Sequence, residues 1–265
     1  MSTFSKEHLD YLKCKRKKKF FIVFLQLIII ILFLFVWEFL ARENIINTFL
    51  FSSPTEIFKC LFSLYKDNDL FIHIGITLYE TILSFLLANV IGIIIGTILW
   101  WNETLSKILN PYLTIINSLP KVALGPLIII WVGASINSII FMALLINCII
   151  TIINIYNSFA NTDKNFITLM QTFNASKWQI YKKVIIPSNL LNILNCFKIN
   201  ISMSLIGVIM GELLVSKVGL GYLIMYGSQV FNIGLVMTSV FILGIISSLM
   251  YYIICLIEKK LMKKL

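Results

Sequence analysis

The chain carries little charge for its length. Only 13% of its 265 residues are Asp, Glu, Lys or Arg, while 59% are hydrophobic and the mean hydropathy is +0.93. This composition is typical of proteins whose chain crosses a membrane several times. The segments between the apolar runs reach about 30 residues at most, whereas independent domains usually have about 50 or more. The composition therefore predicts an all-α integral membrane protein without a separate soluble domain.

Residues and motifs of catalysis are scarce too. There are two histidines and five scattered cysteines, without a Cys-x-x-Cys pair, so the sequence predicts neither a zinc site nor a disulfide framework. It contains no Gly-x-x-x-x-Gly-Lys-Ser/Thr loop for ATP phosphates, no His-Glu-x-x-His and no Gly-x-Ser-x-Gly. We therefore expect no enzyme active site, no cofactor and no metal. If ATP drives this protein, a separate polypeptide must bind it.

The net charge of +10 is concentrated at the two ends of the chain. Basic flanks on membrane spans are typical of cytoplasmic ends, so residues 1–19 and 258–265 are interpreted as basic cytoplasmic tails, and nucleic-acid binding is not expected. The apolar run at residues 20–40 has about 21 residues, close to the ~20 that span a bilayer. No small-residue cleavage site follows it, so it is interpreted as a retained first span rather than a signal peptide.

Residues 20–257 contain six predicted transmembrane helices. These spans lie at residues 20–41, 72–101, 111–133, 136–159, 187–215 and 229–257. Residues 42–71 form a segment between the first two spans, with a surface helix predicted at 55–66 after Pro54. If the N-terminus is cytoplasmic, the inside segments hold 16 of the 22 Lys and Arg residues and the outside segments hold 4. This bias predicts that both termini and the loop at residues 161–187 are cytoplasmic.

The loop at residues 161–187 is the longest polar interruption in the second half of the chain. Apolar residues recur there at i, i+3, i+4 and i+7, which predicts a single stripe on a short helix. The stripe consists of Phe166, Leu169, Met170 and Phe173. An amphipathic helix hung between membrane spans indicates a docking element for a partner outside the bilayer.

A second short helix is predicted after a turn at Asn174, because Asn tolerates the left-handed conformation that ends many helices. Ser176 and Gln179 have the spacing of a capping box, which predicts that this helix begins there. Its apolar face would be formed by Trp178, Tyr181 and Ile185. Pro187 is compatible with the first turn of the following span.

This loop resembles that of the membrane subunits of binding-protein-dependent ABC importers. In that family Glu-Ala-Ala, three residues, Gly, nine residues and Ile-x-Leu-Pro follow one another. Here Asn174 stands at the Gly position, Ala175 and Ser176 follow as in the family's Gly-Ala-Ser, and Pro187 ends the motif. Residues 168–170, Thr-Leu-Met, replace the Glu-Ala-Ala.

Further segments in the family's order extend the resemblance from residue 37 to the C-terminus. They are Phe-Ser-Ser-Pro at 51–54, the span-two glycines Gly92 and Gly96, and a proline-broken third span. The third span is similar to the pattern Pro-x-x-Ala-x-x-Pro-Leu…Trp-Phe-Gly of the nitrate/sulfonate/taurine branch, with Val132 in place of the aromatic residue. Glu212 and the Gly-Leu-Gly at 219–221 resemble the end of the family's fifth span.

The resemblance implies the permease subunit of a bacterial type I ABC importer. Its partners would be ABC ATPase subunits, a second permease subunit (by default a homodimer) and an extracytoplasmic substrate-binding protein, in the bacterial cell membrane. The cargo would be a small solute, either a sulfonate-, nitrate- or taurine-like anion or a vitamin precursor. The residues expected to couple to the ATPase are Phe166, Leu169, Met170, Phe173, Asn174, Ala175, Ser176 and Pro187.

Residues of the translocation pathway are expected where a membrane helix is broken or charged. Pro120, Pro126 and Gly125 interrupt the third span, and broken helices are tolerated where they face protein or water. Lys121 either faces the pathway or extends to the nearby membrane surface. Glu80 and Glu212 either line the pathway or form structural contacts. Lys198 lies deep in the fifth span and needs a partner or water there.

Two other classes of function remain open from the sequence. One is a secondary transporter or channel driven by an ion gradient, although no inverted repeat is visible. The other is a membrane scaffold or enzyme subunit, for which no catalytic constellation is present. Co-purification of an ATPase would separate the importer from both.

Overall fold

A computed structural model describes residues 6–263, and every regular element in that range is helical. Residues 1–5 and 264–265, which belong to the two predicted basic tails, lie outside the described residues. The α-helices in chain order are α1 Lys6–Arg42, α2 Thr48–Phe51, α3 Pro54–Lys66, α4 Asp69–Trp101, α5 Glu103–Ser118, α6 Gly125–Val132, α7 Ile136–Ala160, α8 Lys164–Thr172, α9 Lys177–Ile180, α10 Ile186–Val215, α11 Leu220–Gln229 and α12 Ile233–Met262.

Within residues 6–263, five segments are long and apolar enough to cross a membrane, and a bent pair can supply a sixth. The five correspond to predicted spans one, two, four, five and six. The surface helix predicted after Pro54 is α3, which begins with Pro54 in its first turn behind the capping residue Ser53. The prediction of an all-α membrane protein is confirmed.

The third span is broken, as its prolines predict, but it begins earlier than the predicted residue 111. Helix α5 begins at Glu103 and contains Pro111 in its interior, and the chain bends by 83° before the segment Lys121–Val132. The break lies at Leu119, whose backbone is extended, because the following Pro120 disfavours the helical conformation of its predecessor. A 3₁₀ turn, Lys121–Leu124, then leads into α6, where Pro126 occupies the first turn.

Two other boundaries differ from the predicted ones. The chain between spans five and six forms an additional helix, α11, so α12 begins at Ile233 rather than at residue 229. The long helices also continue past the apolar runs: α1 begins at Lys6 and α12 reaches Met262. The basic residues at both ends thus lie partly on helices that extend the spans.

Close backbone contacts hold α4, α7 and α10 together. A Cβ added at Gly92 or Gly96 on α4 would collide with Thr151 or Ile155 of α7. On α10, a Cβ at Gly207 would lie 2.5 Å from the Cα of Ala143 on α7. Small residues at such positions let membrane helices approach one another closely. The glycine pair of the second span therefore packs within the subunit.

Buried polar side chains join the same three helices. Asn200 of α10 donates through Nδ2 to Asn89 Oδ1 on α4 at 2.6 Å and to Thr151 Oγ1 on α7 at 2.9 Å. Asn147 of α7 donates to Ser204 Oγ at 2.7 Å and to the carbonyl of Asn200 at 3.1 Å. In a bilayer these groups have no water to bond, so partners on neighbouring helices fix how the helices align.

We predict that Gly207→Val lowers the thermal unfolding midpoint of the protein, because the added side chain must push α7 away from α10. Overpacking of this kind costs about 1–3 kcal/mol. Gly244→Val on α12 is the matched control, since a Cβ there meets no atom within 4 Å. Thermal unfolding in detergent measures both variants. Equal midpoints for the two would contradict the close packing at Gly207.

Candidate functional site

Helix α8 presents an apolar face that the subunit itself leaves uncovered. Asp163 caps its N-terminus by accepting from the Asn165 amide at 2.9 Å. Phe166 and Leu169 are each 54% exposed and Phe173 is 73% exposed. Met170 differs from the rest of the predicted stripe, because it is half-buried and packs with Ile167 against the cluster that contains Ile155 and Ile185. The exposed face thus consists of three side chains.

The turn after α8 has the predicted geometry. Asn174 has φ 50°, in the left-handed region, and the next amide, of Ala175, donates to the carbonyl of Met170 at 3.1 Å. The capping box is also formed. Ser176 Oγ accepts from the Gln179 amide at 3.3 Å, and Gln179 Oε1 accepts from the Ser176 amide at 2.8 Å. These bonds fix the angle between α8 and α9.

The two short helices predicted for the loop are present as α8 and α9, but α9 does not end before the fifth span. It continues through one π-helical turn, Tyr181–Ile185, directly into α10. Pro187 lies in the first turn of α10 and has no amide to give to the preceding turn, which accounts for the wider geometry there. The second half of the loop, from Lys177 onward, is therefore a continuous helical extension of the fifth span.

An aromatic cluster, here called the aromatic brace, joins the loop to two other spans. It consists of Trp100, Trp101, Phe159, Trp178 and Tyr181. Ring centroids of Tyr181 lie 5.5 Å from Trp178, 5.6 Å from Trp100 and 6.0 Å from Phe159. Lys177 lies over the rings of Trp100 and Trp101 and donates to the Trp101 carbonyl. α9 is thus anchored to the end of α4 and to α7.

Sequence reasoning missed the contribution of Trp100 and Trp101 to this brace. They lie some 80 residues before Tyr181 in the chain, so no local periodicity relates them. The sequence feature that could have indicated an anchor is the pair of Trp residues at the end of an apolar run, because Trp residues anchor helix ends at the membrane interface. In this protein the pair also anchors the loop.

The break in the third span is exposed in the single subunit. Leu119, Pro120 and Pro126 are all accessible, whereas Gly125 is buried against Met142 and Leu214. Lys121 donates to the carbonyl and the side-chain oxygen of Asn117, at 3.2 Å and 3.0 Å, so its ammonium turns back onto α5.

Glu212 is part of a buried set of hydrogen bonds between α4, α10 and α11, here called the Glu212 lock. Its Oε1 accepts from Thr77 Oγ1 at 2.7 Å and its Oε2 accepts from the Gly221 amide at 2.5 Å. The Leu220 amide donates to the same Thr77 hydroxyl at 2.9 Å. The carboxylate of Glu212 therefore lies at the N-terminus of α11, where the partial positive charge of the helix dipole favours a negative group. Gly219 has φ +116°, and a Cβ there would collide with the carboxylate.

Glu80 is buried beside Glu212, and its carboxylate oxygens have no hydrogen-bond partner among residues 6–263. Both carboxyl groups are enclosed by the packed subunit, unlike the exposed break in the third span.

Lys198 has the partner that its depth requires, since its ammonium lies 2.6 Å from the carboxylate of Glu258 on α12. Glu258 is the first residue after the predicted sixth span, so the sequence had assigned it to the C-terminal tail at residues 258–265.

Packed membrane helices, with a braced loop that offers an apolar face outside the bundle, define a membrane subunit built to work with another protein. The profile of one family, the binding-protein-dependent transport system inner membrane component, matches residues 88–265. The chain belongs to this family.

Proteins similar in sequence are ABC transporter permeases. A probable ABC transporter permease protein of Haemophilus influenzae is 30% identical over 85% of this chain and 91% of its own. The formylaminopyrimidine transport permease protein of Halalkalibacterium halodurans is 29% identical over 71% and 74%. A putative aliphatic sulfonates transport permease protein of Bacillus subtilis is 26% identical over 86% and 83%.

Solved structures of similar fold include an inward-facing form of the MetNI methionine ABC transporter. It superposes with a TM-score of 0.61, at 21% identity, and the match covers 71% of this chain and 94% of that one. This match shows the fold. The family and the similar permeases show that the chain is the translocation subunit of an ABC importer, a multi-pass membrane protein and not an enzyme. This confirms the predicted family and excludes the gradient-driven alternative. Family membership implies ABC ATPase and substrate-binding-protein partners.

We predict that Thr77→Val destabilises the subunit, because it removes both the donor to Glu212 and the acceptor for the Leu220 amide. A buried polar group left without its partner costs about 1–3 kcal/mol. Thr77→Ser retains the hydroxyl and is the control. The thermal unfolding midpoint in detergent should fall for the first variant and stay near the parent value for the second. A Thr77→Val protein as stable as Thr77→Ser would show that the lock contributes nothing.

Proposed function

We propose that residues 161–187 are the coupling element of this importer, and that α8 inserts into a groove on a cytoplasmic ATPase subunit. The single observation that carries the proposal is the exposed face of Phe166, Leu169 and Phe173. Burying each side chain is worth about 1.5–3 kcal/mol, before the losses that association imposes. A partner that covers this face removes three large apolar groups from water.

An interfacial position on the membrane would also cover an apolar helix face. The polar side of α8 does not favour it, because its exposed residues are mostly uncharged. They include Asn165, Thr168, Gln171 and Thr172, with Lys164 as the basic residue at the first position. Helices that bind membrane surfaces instead carry several basic residues on the polar face.

Force on α8 would reach the membrane helices by two rigid routes. One route passes through the capping box at Ser176 and the π-helical turn into α10. The other passes through the aromatic brace into the end of α4 and into α7. Closure of two ATPases around ATP would thereby tilt the spans and re-aim a central cavity from outside to inside.

In the cell, the loop and both termini would face the cytoplasm of a bacterium, across its plasma membrane from the binding protein. Two copies of this chain would form the transmembrane unit, with the exposed break at residues 118–127 lining the cavity between them. The basic residues at both ends support this orientation. The exposed, apolar residues of α6 next to the break, Ile130 and Trp131, support contact with a further membrane helix.

The cargo is proposed to be a small polar organic solute. The similar permeases are named for formylaminopyrimidine, aliphatic sulfonates and riboflavin. The solutes in these names are all small and carry several hydrogen-bonding groups, but they differ in charge.

We predict that Phe173→Asp releases the ATPase and abolishes transport while the permease stays folded in the membrane. The carboxylate would be buried without a partner in the ATPase groove, at a cost that exceeds the contribution of the original side chain. Gln171→Asp introduces the same charge on α8 outside the apolar stripe and should keep the complex intact. ATPase co-purification and membrane yield measure both variants.

A Phe173→Asp complex that stays intact and retains substrate-stimulated ATP hydrolysis would show that this loop is not the coupling element. Loss of the ATPase in both variants would show a general effect of charge on α8 rather than a groove for Phe173.

A further inference from the structure

Two rows of asparagines face each other where α7 and α10 approach the coupling loop. Asn154 and Asn157 lie on α7 and Asn161 is its C-capping residue, while Asn189, Asn192 and Asn195 lie on α10. The spacings of three and four residues place each row on one helix face. With Ser158, Cys196 and Ile199, these side chains line a cleft of about 370 Å³, here called the asparagine cleft. That volume falls in the ~300–1,000 Å³ range of small-molecule sites.

The asparagine cleft extends into the membrane-spanning part of the helices. Asn195 lies nine residues beyond the start of α10 at Ile186, which is about 14 Å at 1.5 Å per residue. Asn157, Asn192 and Asn195 are exposed in the single subunit. Asn192 donates to Asn189 at 3.3 Å and Asn195 accepts from Lys198 at 3.1 Å. The other amide groups of these side chains would be unpaired if they faced lipid, which is costly in hydrocarbon. Their exposure therefore indicates that the cleft faces water.

The lining of the asparagine cleft contains no ionised side chain. Lys198, on the next turn of α10, donates to Asn195 Oδ1 at 3.1 Å, but its charge is paired with Glu258 at 2.6 Å. Each asparagine amide offers two donors and one acceptor oxygen. Such a surface matches the edge of an amide or a pyrimidine, whereas tight recognition of a sulfonate or other oxyanion usually relies on Arg or Lys.

The cleft also leads toward the polar centre of the bundle. Cys196 in its lining is within hydrogen-bonding reach of Asn154 Nδ2 at 3.9 Å and of Asn200 Nδ2 at 3.4 Å. The Oδ1 atom of Asn200 is buried and has no hydrogen-bond partner among residues 6–263. Cys196 therefore separates the cleft from the buried contacts of Asn200 with α4 and α7.

We propose that the asparagine cleft is the cytoplasmic section of the translocation pathway, and that it favours an uncharged solute with amide- or pyrimidine-type donors and acceptors over an oxyanion. This inference rests on the proposed function, because a pathway requires the transporting complex. It narrows the cargo from small polar organic solutes to uncharged ones.

Thiol labelling of the assembled complex tests the position of the cleft. The five native cysteines are first replaced by serine, and then Asn157→Cys, Asn192→Cys or Leu191→Cys is introduced. Leu191 is the matched control, because it is exposed on α10 next to Asn192 but does not line the cleft. In inside-out vesicles without nucleotide, a charged methanethiosulfonate should label the first two positions much faster than the third. Equal, slow labelling at all three would overturn the pathway.

Protection from labelling tests the solute class. Uncharged aminopyrimidines at millimolar concentration should slow the labelling of the Asn192→Cys complex several-fold, and short alkanesulfonates at the same concentration should not. Protection by the sulfonates alone, or by neither class, would overturn the preference for uncharged solutes. Binding of the ATPase to the same vesicles is measured separately, so failure of the coupling element is distinguished from failure of the cleft.

Discussion

The bilayer leaves no water for polar groups, and this constraint determines how the core of the subunit is built. The backbone bonds are satisfied within helices, so helix association depends on close packing and on side-chain hydrogen bonds between helices. Here Gly92, Gly96 and Gly207 bring α4, α7 and α10 into backbone contact. Asn147 and Asn200 then join the same helices at a fixed register. These contacts hold together the three helices to which the loop at residues 161–187 is joined.

The loop at residues 161–187, proposed above as the coupling element, is anchored to these three helices. Helix α9 continues into α10, and the aromatic brace fastens it to α4 and α7. Helix α8 in turn is held by its packed residues, Ile167 and Met170, while Phe166, Leu169 and Phe173 stay exposed. If α8 docks on an ATPase as proposed, these contacts would carry its displacement to α4, α7 and α10.

Local patterns predicted much of this architecture, and contacts between distant segments explain what they missed. Hydropathy located the spans, Asn174 predicted the left-handed turn, and the spacing of Ser176 and Gln179 predicted the capping box. Each of these features depends on neighbours within a few residues. The contacts that were missed join residues 60 to 135 positions apart. They are the aromatic brace of Trp100 and Trp101, the bond of Thr77 to Glu212 and the pair of Lys198 with Glu258. The prolines of the third span predicted a break there. They did not predict that the 83° bend lies at Leu119, because the sequence does not show which proline begins the new helix.

The account depends most directly on the rigid connection between α8 and the spans. Pulsed electron spin resonance can measure it in the assembled complex, with spin labels at Asn165→Cys on α8 and Ile98→Cys on the exposed side of α4. A narrow distance distribution that is the same with and without bound ATP is predicted, because the brace makes the loop and the span one body. A broad distribution, or a distance that shifts when ATP binds, would show that the loop moves independently and would contradict the account.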